Sequence, residues 1–162
     1  MPIAAQADLT NQWRMKHQNN ALVGSWHVTV TSTQMPPVSS FGTFGADGTL
    51  VTSPPPVLPR PGAPGEIVFT SSGHGAWAAT GPDAAILTFV GQAVDGKGIP
   101  VVVMTARASL GLSADGKAFS GEGARTFASP GGHMLATDKI VVQAARITAE
   151  ALETPGATAT PA

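Results

Sequence analysis

A period-two alternation of apolar and polar residues constrains this chain more than any other feature of its sequence. In the first such segment, Trp26, Val28 and Val30 alternate with polar residues. This spacing is typical of a β-strand that buries one face. Further candidate strands lie near residues 41–44, 49–52, 74–80, 84–93, 99–113, 117–128 and 133–148. The pattern therefore predicts about eight short strands.

Glycine-containing segments separate these candidate strands. The pairs Asp47-Gly48, Asp95-Gly96 and Asp115-Gly116 supply the positive φ angle that tight hairpin turns require. A fourth turn is predicted at Pro130-Gly131-Gly132. No helical pattern separates consecutive strands, which disfavours a parallel sheet. We predict an all-β fold, a single up-and-down antiparallel β-barrel of about eight strands within residues 22–150.

The two ends of the chain lack the strand pattern. In residues 1–21, Leu9, Trp13 and His17 have helical spacing. They predict a short N-terminal helix that leads into the barrel, or else an irregular arm across one barrel end. Residues 151–162 are rich in threonine, alanine and proline, and we expect them to be disordered.

Six prolines fall within residues 53–65 and break the alternation. Because proline has no backbone N–H to donate, we predict a long extended loop here rather than a regular strand. Such a loop is either a lid or binding segment, or a surface connection stiffened by its prolines.

Composition excludes several kinds of site and partner. The chain has no cysteine, which rules out disulfides, thiolate metal sites and a cysteine nucleophile. Charged residues make up 12% and the net charge is −1, without the basic stripe expected of a nucleic-acid-binding protein. No apolar run approaches the ~20 residues of a membrane-spanning helix. The first residues do not form an intact signal peptide, so the compartment stays open between the cytoplasm and export with a leader absent from this chain.

Small residues are frequent in the predicted strands, where they favour an internal cavity because small side chains fill a barrel incompletely. They are Ala76, Ala78, Ala79, Ala106, Ala108, Gly121 and Gly123. Larger apolar side chains are candidates for the walls of such a cavity. They are Trp77, Phe89, Met104 and Phe119.

Gly24-Ser25-Trp26 opens the first strand and Arg146 closes the last one. This arrangement resembles the lipocalin-like (calycin) signature, in which an arginine from the final strand lies over the indole of a Gly-X-Trp motif. Residues 44–49 and 74–77 are similar to segments of a bacterial lipocalin-like group, mostly of unassigned function. The resemblance implies a barrel that holds small hydrophobic ligands, and relatives with similar barrels bind haem or catalyse cyclisations and isomerisations. Trp26 and Arg146 are interpreted as structural, because their contact would join the first strand to the last.

His74 is the candidate catalytic residue. Its neighbours Gly73 and Gly75 let another group approach closely, and a neutral imidazole can act as a general base. The alternative is a histidine that is hydrogen-bonded at the start of a strand and has no chemical role. No two histidines stand at a metal-ligand spacing, so no metal site is predicted. We expect no cofactor, with haem ligation through His74 as a minor alternative.

Three charged residues form a second candidate group. If the hairpin turns at Asp115-Gly116, Arg107 lies opposite roughly residue 124, close to Glu122 and Arg125. Charges within apolar strands are costly unless they are paired. Arg107 and Glu122 therefore either form an outward cross-strand pair or line the cavity and bind a ligand carboxylate or carbonyl. The alternation does not decide between these, because both faces of the strand around Arg107 carry apolar residues.

The sequence thus predicts a protein that binds a small hydrophobic or amphipathic molecule inside a β-barrel. The first alternative is a cofactor-independent isomerase or cyclase that uses the same cavity and His74 as acid or base. The second is a homo-oligomer built through the outer strand faces, without a ligand.

Overall fold

The computed structural model describes residues 20–150, which form ten β-strands and contain no helix. The strands are β1 (Gly24–Ser32), β2 (Val38–Phe44), β3 (Thr49–Ser53), β4 (Val57–Pro59), β5 (Ile67–Thr70), β6 (Gly73–Ala79), β7 (Ala84–Val94), β8 (Pro100–Leu112), β9 (Ala118–Ala128) and β10 (Met134–Arg146). Within this range no helix long and apolar enough to cross a membrane is present. The predicted N-terminal helix and disordered tail fall on residues outside the described range.

Eight of the strands close into an antiparallel barrel. Their order around the barrel is β1-β2-β3-β6-β7-β8-β9-β10, and β10 pairs with β1 to complete it. This confirms the predicted up-and-down antiparallel barrel. The other two strands, β4 and β5, form a hairpin between β3 and β6, and β5 pairs with the end of β7.

Four hairpin connections share one turn geometry. In each, the N–H of a glycine donates to the carbonyl three residues earlier, and that glycine has a positive φ of 66–87°. These glycines are Gly48, Gly98, Gly116 and Gly132. The predicted turn at Asp95-Gly96 is therefore wrong in detail, because the positive φ lies at Gly98. The connections are four-residue turns, in which glycine is favoured at the last position, and Asp95 occupies the first.

Aspartate side chains brace three of these turns, through Asp47, Asp95 and Asp115, and the last two have a lowered pKa. The Asp95 carboxylate accepts hydrogen bonds from the backbone N–H of Ile99 (2.9 Å) and of Lys97 (2.8 Å), which lower the pKa of Asp95. Asp115 accepts from the Ser113 hydroxyl (2.6 Å) and from the Lys117 N–H (3.0 Å), and these bonds lower the pKa of Asp115.

Four aromatic rings fill the barrel end at which β1 begins and β10 ends. Between ring centroids, Phe119 lies 4.9 Å from Trp26 and 5.9 Å from Phe44. Phe44 lies 5.9 Å from Trp77. All three contacts are edge-on, an arrangement that aromatic pairs prefer. We call Trp26, Phe44, Trp77 and Phe119 the aromatic plug, since they close this end of the interior.

Arg146 holds the first and last strands together beside the plug. Its Cζ lies 4.2 Å from the centroid of the Trp26 ring, and the two residues are directly paired between β1 and β10. The predicted contact is thus present. The guanidinium also donates to three carbonyls, those of Gly116 (2.9 Å), Val23 (3.0 Å) and Ala21. It therefore joins β10 to the β8–β9 turn and to the segment before β1.

This arrangement explains why the Gly-X-Trp motif begins with a glycine. Gly24 has a φ of 131°, which L side chains rarely adopt. A Cβ added there would lie 2.7 Å from Nη1 of Arg146. Gly24 is therefore required both by its backbone angle and by the position of the arginine.

The substitution Gly24→Ala should lower the free energy of unfolding by about 1–3 kcal/mol, because it forces a strained φ and displaces Arg146. Urea denaturation measures this loss. The matched control is Gly96→Ala, where the added Cβ meets nothing within 4 Å and φ is not positive. Equal losses in the two variants would contradict the account.

The lowered pKa values of Asp95 and Asp115 also predict a pH dependence. A carboxylate with a lower pKa in the folded state stabilises the fold above its unfolded pKa of about 3.9, and this contribution is lost as the pH falls through the folded value. The double variant D95N/D115N should be less stable than wild type at neutral pH. It should also lose less stability on acidification to about pH 2.5.

The measurement is the urea midpoint at the two pH values. Asp83→Asn is the control, since the exposed Asp83 side chain accepts none of these turn hydrogen bonds. The explanation fails if D95N/D115N loses as much stability on acidification as wild type does.

Candidate functional site

The barrel contains a partly open cavity of about 130 Å³ above the aromatic plug. All eight barrel strands contribute to its walls, and the side chains that face it are predominantly apolar. Phe44, Leu50 and Phe119 form its floor. For scale, an engineered apolar cavity of roughly 150 Å³ binds benzene. The cavity is therefore large enough for a molecule of about one ring.

The small residues of the strands do not all create this space. Ala106 and Ala108 line the cavity, as predicted. Gly121 and Gly123 face inward as well, but a Cβ at either would overlap the backbone of β8. These glycines allow β8 and β9 to approach closely. Ala76 and Ala78 alternate with the inward Trp77 and face outward, so the expectation that small residues leave space inside the barrel is wrong for these two.

The β4–β5 hairpin covers the cavity at the end opposite the plug. Leu58, Pro59, Pro61 and Val68 face the cavity from this hairpin and its loop. The prediction of an extended loop over residues 53–65 is corrected, since Val57–Pro59 forms a short strand. That strand tolerates proline because it lies at the edge of the sheet, where one side needs no ladder bonds.

A buried ion pair lies at the side of the cavity. Arg125 on β9 is directly opposite Asp138 on β10, and Nη2 of the arginine lies 2.5 Å from Oδ2 of the aspartate. The two residues are 6% and 5% exposed. The same Nη2 lies 3.8 Å from Sδ of Met35, and Cζ lies 5.5 Å from the centroid of the Phe127 ring. Arg125 thus presents a paired charge to an otherwise apolar interior.

Within residues 20–150, two polar atoms of this pair have no hydrogen-bond partner. They are Nε of Arg125 and Oδ1 of Asp138, and both are buried. A buried donor or acceptor without a partner costs about 1–3 kcal/mol, and more when the group is charged. The pair therefore keeps one donor and one acceptor that protein groups do not satisfy.

Four of the residues predicted to bind a ligand come together at the cavity. They are Phe89, Met104, Phe119 and Arg125. Trp77 also points inward, but it lies in the aromatic plug, where its Nε1 donates to the Gly45 carbonyl at 2.9 Å. It supports the floor and does not line the cavity.

The other predicted residues face outward. Arg107 lies opposite Ala124, as the turn position predicted, and its side chain is exposed. Glu122 is exposed as well, and within residues 20–150 no ion pair joins it to Arg107. His74 is exposed on the outer face of β6 between the inward positions of Gly73 and Gly75. Its catalytic role, and haem ligation through it, stay predictions.

Asp138 is the site residue that the sequence reasoning missed. The sequence feature that could have identified it is its place in the alternation. Asp138 falls on the inner face of β10 with Ile140, Val142 and Ala144. Arg125 shares the inner face of β9 with Phe119 and Phe127 in the same way. A charge in an apolar alternation, on each of two neighbouring strands, predicts a buried pair.

Within residues 20–150, no three histidine, aspartate or glutamate side chains are grouped so that they could hold a metal ion. The site is instead an apolar cavity with one ion pair.

The fold and this site define an eight-stranded antiparallel β-barrel with an internal cavity. No protein-family model matches the chain, and no curated protein matches it either. Among solved structures, the chain is similar to a redesigned β-barrel. The identity is 18%, over 79% of this chain and 93% of that chain, with a TM-score of 0.44. The predicted lipocalin-like membership is not confirmed by these comparisons, and the barrel assignment rests on the strand pairing in this chain.

The coupling between Arg125 and Asp138 is testable by a double-mutant cycle. Arg125→Met alone, or Asp138→Val alone, should lower the free energy of unfolding by about 3–5 kcal/mol, because each leaves a buried charge unpaired. R125M/D138V should lose much less than the sum, because no charge remains. Urea denaturation of the four proteins gives the coupling energy, and additive losses would show that the two residues do not interact.

Proposed function

We propose that this protein binds a small, largely apolar molecule inside the barrel. The observation that carries the proposal is the cavity of about 130 Å³ inside the barrel, lined mostly by apolar side chains with Arg125 as its one charged member among the described residues. Ligand sites in proteins commonly combine such apolar walls with a few polar groups that orient the ligand.

The energetic cost of the cavity supports this proposal. Protein interiors are normally close-packed, with few voids larger than a water molecule. At about 24 cal/mol per Å³, leaving 130 Å³ empty costs roughly 3 kcal/mol. A ligand that fills the space recovers part of this cost through contacts with the walls.

The β4–β5 hairpin is the proposed entry. β5 pairs with β7 at two residue positions, Phe69 with Val94 and Thr70 with Ala93. By contrast, β7 and β8 pair along almost their full lengths. Moving the hairpin therefore breaks few backbone hydrogen bonds and leaves the eight-stranded barrel intact.

The alternative of an isomerase or cyclase has less support. None of the described residues that line the cavity is a histidine, aspartate or glutamate. Acid–base catalysis requires such a group within hydrogen-bond reach of the substrate. Asp138 reaches the cavity only through its contact with Arg125, and His74 lies on the outer face.

Filling the cavity should abolish binding. Ala106 lines the cavity and is buried, so Ala106→Leu places a larger side chain where the ligand would lie. With ethylbenzene as the probe, we expect the dissociation constant measured by calorimetry to rise by about tenfold or more. Native mass spectrometry of freshly purified wild type should also show any small molecule that is already bound.

The matched control is Ala76→Leu, the same change at an exposed position on the outer face of β6. It should bind ethylbenzene as wild type does. The proposal is wrong if wild type does not bind ethylbenzene, or if Ala106→Leu binds it as tightly as Ala76→Leu.

A further inference from the structure

The guanidinium of Arg125 has an unused donor at the cavity. Nη2 makes both of its hydrogen bonds, to Asp138 and to Met35. The Nε–H is buried and has no acceptor. Because Arg125 is 6% exposed and lines the cavity, bulk water does not compensate this donor freely. Nε itself has almost no accessible surface, so a ligand oxygen does not reach it. Nη1 makes no hydrogen bond within residues 20–150 and is not buried in this way, so an oxygen atom of a bound molecule can accept from it.

We propose that the ligand is a neutral, mostly apolar molecule with a carbonyl or hydroxyl oxygen, and that this oxygen accepts a hydrogen bond from Nη1 of the Arg125 guanidinium. This inference rests on the proposed function, since it specifies the ligand class of the same cavity. A hydrogen bond from a charged donor is stronger than one between neutral groups. It therefore selects oxygen-bearing molecules over hydrocarbons of the same shape.

The pairing of Arg125 with Asp138 explains why the ligand is neutral. At 2.5 Å the aspartate carboxylate offsets the charge of the guanidinium. A ligand carboxylate would lose its hydration on entering the cavity, and would also be repelled by Asp138. The sequence left a ligand carboxylate or carbonyl open for Arg107, which faces outward. For Arg125, the pairing with Asp138 favours a carbonyl.

Three of the five other polar side chains at the cavity are already engaged. The hydroxyl of Ser40 donates to the Ser53 carbonyl at 3.1 Å, and that of Thr70 donates to the Pro55 carbonyl at 2.5 Å. The hydroxyl of Ser71 donates to the Ser72 carbonyl at 2.9 Å. A ligand oxygen that approached these groups would have to displace an existing bond. Among the described residues, Thr52 and Gln92 make no such side-chain bond, but they are neutral, whereas Arg125 offers a charged donor without that competition.

The test compares ethylbenzene with acetophenone, which keeps the ring and two-carbon substituent and adds a carbonyl oxygen. Their affinities are measured by calorimetry for wild type and for R125M/D138V, which removes both charges together. The two ligands differ in their free energy of transfer from water, but this difference cancels when their affinity ratio is compared between the two proteins. We expect the ratio in favour of acetophenone to fall by about tenfold or more in the variant.

The outcomes separate this inference from the proposed function. If both ligands bind and their ratio is the same in the two proteins, the inference is overturned while the cavity-binding function stands. If wild type binds benzoate more tightly than acetophenone, the neutral-ligand claim is overturned. If wild type binds neither ethylbenzene nor acetophenone, the proposed function fails, and the inference fails with it.

A second measurement uses wild type alone and does not depend on the folding of R125M/D138V. In a ¹⁵N-arginine sample, the Nη1–H resonances of Arg125 should shift and become protected from exchange when acetophenone is added. Ethylbenzene should leave their exchange rate unchanged. Equal protection by both ligands would overturn the hydrogen bond to the carbonyl.

Discussion

The contact of Arg146 with Trp26 is the interaction on which the rest of the structure depends. A barrel has an enclosed interior only if its last strand pairs with its first, and here that pairing is between β10 and β1. The guanidinium covers the indole at this junction and binds carbonyls of Val23 and Gly116. Gly24 leaves room for the arginine. Closure, the aromatic plug and the closed lower end of the cavity are thus parts of one local arrangement.

The interior of the closed barrel combines apolar walls with two buried charges, and these charges define the site. The inner faces of the strands are apolar, yet β9 and β10 each place one charge there, Arg125 and Asp138. The two charges neutralise each other but leave one donor and one acceptor without partners. A protein under selection for stability alone would gain by replacing such a pair with apolar residues. The proposed binding function gives this pair, which lies at the side of the cavity, a role other than stability.

Local sequence patterns predict the strands and their pairing well. They predict poorly which face a side chain takes and how far along the barrel axis it lies. The Asp115-Gly116 turn correctly places Arg107 opposite Ala124, because hairpin register follows from turn position. Alternation around Arg107 does not reveal its face, since the barrel keeps Val101 and Val103 on its partly exposed outer side. Trp77 on β6 and Phe89 on β7 both face the interior, but only Phe89 lines the cavity. Their difference lies in position along the barrel axis, which depends on strand tilt and stagger across the whole sheet.

The most direct measurement of the central claim is methyl-resolved NMR of wild type titrated with ethylbenzene. If the ligand enters the barrel, the methyl resonances of Leu87, Met104 and Ala106 will shift in a saturable manner, because these residues line the cavity. Those of Val51 and Val90, exposed on the outer face, will not move. Shifts confined to the outer methyl groups, or none at all, would contradict an internal binding site.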